Sequence, residues 1–163
     1  MKIISLKNEI SSDTAISILK QKDSTVNVNL IEPIYYPYYR LIASVKTKIF
    51  ARSFDGTLSC LIDLVNGVEA ITGEECQTEQ IFVDGSSILP ISIENEKARK
   101  KALGCIRHTI IQKMKVLSIP KIIPVDEDFF YRPFWIIHCL SNKDNHFYVM
   151  MDGISGQYQL LDL

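Results

Sequence analysis

The chain has 163 residues, with 18 Lys and Arg against 19 Asp and Glu and a formal net charge of -1. Its 47% apolar and 23% charged residues are an ordinary globular balance, which excludes disorder for the bulk of the chain. A charge this close to zero argues against a generic nucleic-acid binder, because contact with phosphates would release few counterions.

The opening MKIISLKNEISSD holds an apolar run too short for the core of a signal peptide. No stretch reaches the roughly 20 apolar residues that span a bilayer. These readings predict a cytoplasmic chain with no membrane partner. The segment SSDTAISILKQK then offers Ser and Asp caps ahead of an apolar stripe at Ala15, Ile18 and Leu19, the pattern of a helix. In EPIYYPYYRLIASV, residues Tyr39, Leu41, Ala43 and Val45 alternate with Tyr38, Arg40, Ile42 and Ser44, the pattern of a strand. KTKIFARSFDG is read as a hairpin loop, and CLIDLVNG as the returning strand and its turn, with Asn66-Gly67 a turn signal.

Residues 72–92 read as a linker with one short strand. Ser92 or Asn95 caps a longer helix, with Glu94 and Glu96 in its first turn. Ala98, Ala102, Ile106, Ile110 and Met114 follow helical spacing, and Pro120 bounds the helix. In DFFYRPFWIIHCL, Trp135, Ile137 and Cys139 share one face, while Phe134, Ile136, His138 and Leu140 share the other. This strand is apolar on both faces, as expected for one covered on both sides. Residues 141–145 form a polar turn, and His146 to Met151 the return strand.

The halves are self-similar. Aligning Pro37 with Pro133 brings Tyr35 onto Tyr131, Tyr38 onto Phe134 and Tyr39 onto Trp135. It also pairs Leu41 with Ile137 and Ala43 with Cys139. Further on, Asp63 matches Asp152 and Gly67 matches Gly156. Each half therefore reads helix, strand, strand. The expected fold class is α+β, with antiparallel strands in one sheet or two and the helices covering one face. The expected organisation is a first αββ repeat over 1–75, a linker over 76–92 and a second αββ repeat over 93–163.

The doubled pattern of Tyr-x-Pro and an aromatic pair (Tyr35, Pro37, Tyr38, Tyr39; Tyr131, Pro133, Phe134, Trp135), closed by Asp63 to Gly67 and Asp152 to Gly156, resembles the PepSY-like, cystatin-like small α+β domains. ILPISIENEKARKKAL looks like the usual start of that family's helix. The likeness runs from about residue 12 onward. It implies a helix packed across an antiparallel sheet in two tandem copies, and it brings no catalytic residues. The family's best-known members are exported or membrane-linked and associate with peptidases, whereas an export signal is not visible here.

Several residue groups carry candidate chemistry. Asp63 and Asp152 read first as turn acceptors beside a glycine, and second as a carboxylate pair. Cys60, Cys76, Cys105 and Cys139 form no CxxC pair and read as reduced apolar residues. Cys105 and His108 stand three apart on the second helix but lack an orienting third group. His138 and Cys139 point to opposite strand faces, so no metal set emerges among the histidines. The basic run KARKKALGCIRH reads as a solvated helix face. No GxSxG, GxxxxGK[ST] or GxGxxG occurs.

The leading functional reading is a non-enzymatic module that binds a protein or peptide through an aromatic sheet face or by strand addition at an edge. Tyr36, Tyr38, Phe134, Ile136 and Trp135 are its candidate binding residues, and a homodimer is one possible partner. No cofactor and no metal are expected. Two alternatives are a small-ligand binder with an apolar pocket between helix and sheet near Trp135, and a hydrolase-type enzyme using Asp63 and Asp152 or Cys105.

Overall fold

A computed structural model describes residues 1–49, 52–73, 77–114 and 119–162. The chain order is β1 (Lys2–Leu6), α1 (Ser12–Lys22), β2 (Asn27–Ile49), β3 (Arg52–Asp63), β4 (Glu69–Thr72), β5 (Thr78–Phe82), α2 (Asn95–Met114), β6 (Lys121–Leu140), β7 (His146–Asp152) and β8 (Tyr158–Leu161). A single 3-10 turn at Gly85–Ser87 follows β5. The strands form a mixed eight-stranded sheet in the order β4-β3-β2-β6-β1-β5, with β7 on β6 and β8 on β7.

This corrects the expected α+β class of two helix–strand–strand repeats with helices covering one face. The protein is mostly β, at 53% strand against 22% helix, with two helices among the described residues. β1, β4 and β8 lie where no strand was expected. They are five, four and four residues long, too short for a periodic pattern to stand out from composition. β2 and β6 run 23 and 20 residues, well beyond their aromatic segments. The segment read as a hairpin loop is strand at both ends, with Lys46 opposite Asp55 and Lys48 opposite Ser53. Lys46, Lys48, Arg52, Ser53 and Asp55 are exposed and Thr47 is buried, and exposed side-chain polarity does not oppose strand pairing.

The chain divides into two units. The first comprises Met1–Tyr36, Cys76–Leu89 and Tyr131–Leu163, and the second Pro37–Glu75 and Pro90–Phe130. In the first unit, α1 lies on strands from the far end of the chain. Ala15 and Leu19 of the helix bury against Ile137 and Cys139 of β6 and Val149 and Met151 of β7. Ser11 caps the helix, its hydroxyl accepting from the Thr14 N–H at 3.2 Å, which satisfies one orphan donor of the first turn. β1 pairs antiparallel with β5, Lys2 opposite Phe82 through Leu6 opposite Thr78, and touches β6 through a parallel bridge from Ser5 to Tyr131. The buried Ser5 hydroxyl lies 3.2 Å from the Tyr131 carbonyl oxygen, so no polar atom there is stranded.

In the second unit, α2 presents Ala98, Ala102, Ile106 and Ile110, all fully buried, to Leu41, Ala43 and Val45 of β2 and Cys60 and Ile62 of β3. The alanines let the helix approach closely and the isoleucines fill the far end. Alternation along β2 does the rest: Tyr39, Leu41, Ala43 and Val45 are buried, while Arg40, Ile42 and Ser44 are half-buried on the other face. Met114, at the end of the expected stripe, has a side chain outside the described residues. So do Cys76 and the segment 115–118 leading to Pro120.

Candidate functional site

Each unit is organised by the same backbone joint. In the second, the Pro37 carbonyl accepts from the Leu64 N–H at 3.1 Å, and the Leu64 carbonyl accepts from Ser92 and Ile93 at 2.9 and 3.0 Å as the chain turns into α2. In the first, the Pro133 carbonyl accepts from Gly153 at 2.9 Å, and the Gly153 carbonyl accepts from Glu9 and Ile10 at 2.9 and 2.8 Å just before α1. Pro37 and Pro133 are fully buried. Proline offers only its carbonyl to a neighbour, and here that carbonyl holds the turn that seats the helix.

The aspartates serve these turns. Asp63 Oδ1 accepts from the Val65 and Asn66 N–H groups at 2.7 and 3.0 Å. Asp152 Oδ1 accepts from Ile154 at 2.8 Å, and its carboxylate is gripped by Arg132, with Nη2 to Oδ2 at 2.5 Å. Gly67 and Gly156 close the two turns at φ 76° and 73°, the left-handed region where glycine escapes the Cβ clash. Each carboxylate is thus engaged by its own turn, in its own unit.

The sequence-derived binding residues divide between the units. Tyr36 is buried, edge-on to Phe134 with ring centroids 5.9 Å apart. Phe134 and Ile136 are half-buried, opposite Asp152 and Met150 of β7. Trp135 faces the core below α1, and its indole N–H donates to the Ile10 carbonyl at 2.7 Å. Tyr38 belongs to the second unit, where it stacks on Phe130 at 6.2 Å. Every one of these rings has an aromatic or backbone partner within its own unit.

A cleft of about 420 Å³ opens in the second unit beside the start of α2, lined by Tyr39, Asn95, Glu96, Arg99, Glu127, Asp128 and Phe129. Tyr39 aligns with Trp135 in the repeat, so the position that an indole fills in one unit borders open space in the other. The Tyr39 hydroxyl donates to Glu127 Oε2 at 2.5 Å. Burial first, and this hydrogen bond second, hold that hydroxyl well above the usual tyrosine range. Arg40 grips Asp128 through two parallel bonds, Nε to Oδ1 at 2.9 Å and Nη2 to Oδ2 at 2.5 Å. Its guanidinium also lies 5.7 Å from the Phe130 ring centroid. Arg99 stands 3.7 Å from Glu127. A neighbouring hollow of about 240 Å³ shares Arg99 and Glu127 and adds Asp126. Glu96, Asp126, Glu127 and Asp128 thus stand around this opening against Arg40, Arg99 and Lys100, the last 3.6 Å from Glu96, an excess of one carboxylate.

Cys105 finds its partner in Cys60 of β3, and His108 lies exposed on the helix. Burial, then contact with the Cys105 thiol, pushes the Cys60 thiol well above the usual range, which keeps it a poor nucleophile. Among the described residues, no three His, Cys, Asp or Glu side chains converge to hold a metal. Also among the described residues, no helix is long and apolar enough to cross a membrane.

Reading the sequence for sites passed over Arg40, Glu127 and Asp128. The one local signal is the acidic run Asp126-Glu127-Asp128 in the first half of β6. Its partners Tyr39 and Arg40 lie 88 residues away, a pairing that exists only once β2 and β6 are aligned. The chain matches no protein-family model, no curated protein and no solved structure.

Proposed function

We propose that this chain is a non-enzymatic binding module that takes a basic side chain of a partner protein or peptide in the cleft beside α2. The observation that carries this reading is the excess of carboxylates around a cleft with an aromatic wall, Tyr39 and Phe129 against Glu96, Glu127 and Asp128. The half-buried Phe129 ring attracts a cation, and carboxylates already oriented by Tyr39 and Arg40 lose little freedom on binding one. The volume of about 420 Å³ is that of a small-ligand pocket and has room for one side chain. Resemblance to PepSY-like domains also favours binding over catalysis. In this reading the protein works in the cytoplasm, on a protein or peptide rather than on nucleic acid.

The test is fluorescence anisotropy with a dye-labelled arginine-rich peptide, a glutamate-rich peptide of equal length, and agmatine as competitor. The arginine-rich peptide binds, and the Glu96→Gln/Glu127→Gln variant weakens it by about tenfold, or about 1.4 kcal/mol. Equal binding of both peptides, or an unchanged variant, overturns the proposal. Agmatine binding as tightly as the peptide makes the site one for small molecules instead.

A further inference from the structure

The β6–β7 hairpin of the first unit brings His138 and His146 together. They form a diagonal cross-strand pair, since His138 lies opposite Tyr148 and His146 opposite Leu140. His138 Nε2 and His146 Nδ1 are 3.0 Å apart, with ring planes 19° from parallel. The other nitrogen of His138, Nδ1, sits 3.1 Å from the side-chain amide of Asn29 on β2. Tyr148 stacks on the His138 ring at 4.7 Å. His138 is therefore held on three sides, and His146 is exposed at the end of the hairpin.

We infer that His138 and His146 form a binding site for a late first-row divalent metal ion, with Cu²⁺ the best fit. The two nitrogens share a hydrogen bond in the absence of an ion, and once that proton moves off the line between them they are the two donors that a chelate needs at minimum. At metal–nitrogen distances of roughly 2.0–2.1 Å, a 3.0 Å nitrogen separation subtends about 91–97° at the ion. That is close to the angle between adjacent ligands of a tetragonal or square-planar ion. Cu²⁺ also heads the affinity order for nitrogen sites. The ion lies to one side of the line between the nitrogens, and the exposed His146 supplies most of the tilt this requires.

Asn29 completes the site. A histidine that binds metal through Nε2 carries its proton on Nδ1 and donates it to an orienting acceptor. Turning the Asn29 amide over presents Oδ1 to that proton, a change open to any amide. The proton that His138 shares with His146 moves to Nδ1, Nε2 is freed for the ion, and no net proton is released. The remaining coordination positions face the exposed side of the hairpin and take water.

The test is Cu²⁺ titration of the full chain, followed by electron paramagnetic resonance, with circular dichroism to check folding. A stoichiometric complex with superhyperfine coupling from two imidazole nitrogens is expected. His138→Gln and His146→Gln each remove one coupling and most of the affinity. Asn29→Ala, which removes the partner of His138 Nδ1 but neither metal ligand, weakens binding by roughly 10- to 100-fold, and Asn29→Asp restores it. His108→Gln and Cys105→Ser leave the complex unchanged. Should His138→Gln fail to fold, the exposed His146→Gln carries the test. No Cu²⁺ complex, a complex that survives His146→Gln, or one lost with His108 or Cys105 overturns the inference.

Discussion

Replacing Tyr39 by Phe removes one oxygen from a side chain that is 4% exposed and leaves its ring in place. The hydroxyl donates to an ionised acceptor at 2.5 Å, a class of bond worth about 1.5–3 kcal/mol net. The lower end applies here, because the Glu127 side chain is 49% exposed and water can replace the lost donor. We expect a loss of about 1.5 kcal/mol at neutral pH, or about 3–6 °C in Tm for a chain of this length. Urea unfolding followed by circular dichroism should show a lower midpoint with unchanged m. A double-mutant cycle with Glu127→Ala assigns the coupling to this pair.

The pH dependence is a second readout of the same bond. The folded-state pKa of Tyr39 is raised above its unfolded value by burial and by Glu127, so its contribution is complete below about pH 10 and is lost as pH rises beyond that. The gap between wild type and Tyr39→Phe must therefore narrow above pH 10. A gap that widens there, or a cycle with no coupling, refutes the reasoning.

Two glycine substitutions should act in opposite directions. Gly104 lies inside α2 with open space where a Cβ would stand, so Gly104→Ala stabilises by about 0.5–1 kcal/mol through helix propensity, read as a higher urea midpoint. A Cβ on Gly153 would lie 2.8 Å from the Pro133 carbonyl oxygen. Gly153→Ala forces apart the joint that seats α1 and costs about 1–3 kcal/mol, checked by the same assay. Hydrogen exchange should then show the loss of protection at Glu9 and Ile10, whose N–H groups the Gly153 carbonyl accepts.

Much of the local structure is legible in the residues themselves. Ala98, Ala102, Ile106 and Ile110 recur at helical spacing because one stripe of α2 must be apolar, and that constraint is local. Asp63 with Gly67, and Asp152 with Gly156, mark turns because a carboxylate accepting N–H bonds and a residue free to take positive φ are needed within five positions. The alternation of Tyr39, Leu41, Ala43 and Val45 fixes which face of β2 is buried. The candidate site was far less legible. Arg99 sits in the basic run read as a solvated face, and Asp126 to Asp128 look like ordinary surface charge until Tyr39 and Arg40 are placed beside Glu127 and Asp128.

Pairing is what the linear order conceals. Helix α1 shares its core with Val26 just after it, yet most of that core, Ile137, Cys139, Val149 and Met151, comes from more than a hundred residues on. Helix α2 likewise packs on Leu41, Ala43, Cys60 and Ile62 from the preceding half. A hydrophobic stripe states that a face will be covered and is silent about which of several apolar strands will cover it. The two halves carry nearly the same strand motif, so each helix meets two surfaces of similar pattern. Only the tertiary contacts, through the carbonyls of Leu64 and Gly153 that hold the helix starts, decide between them.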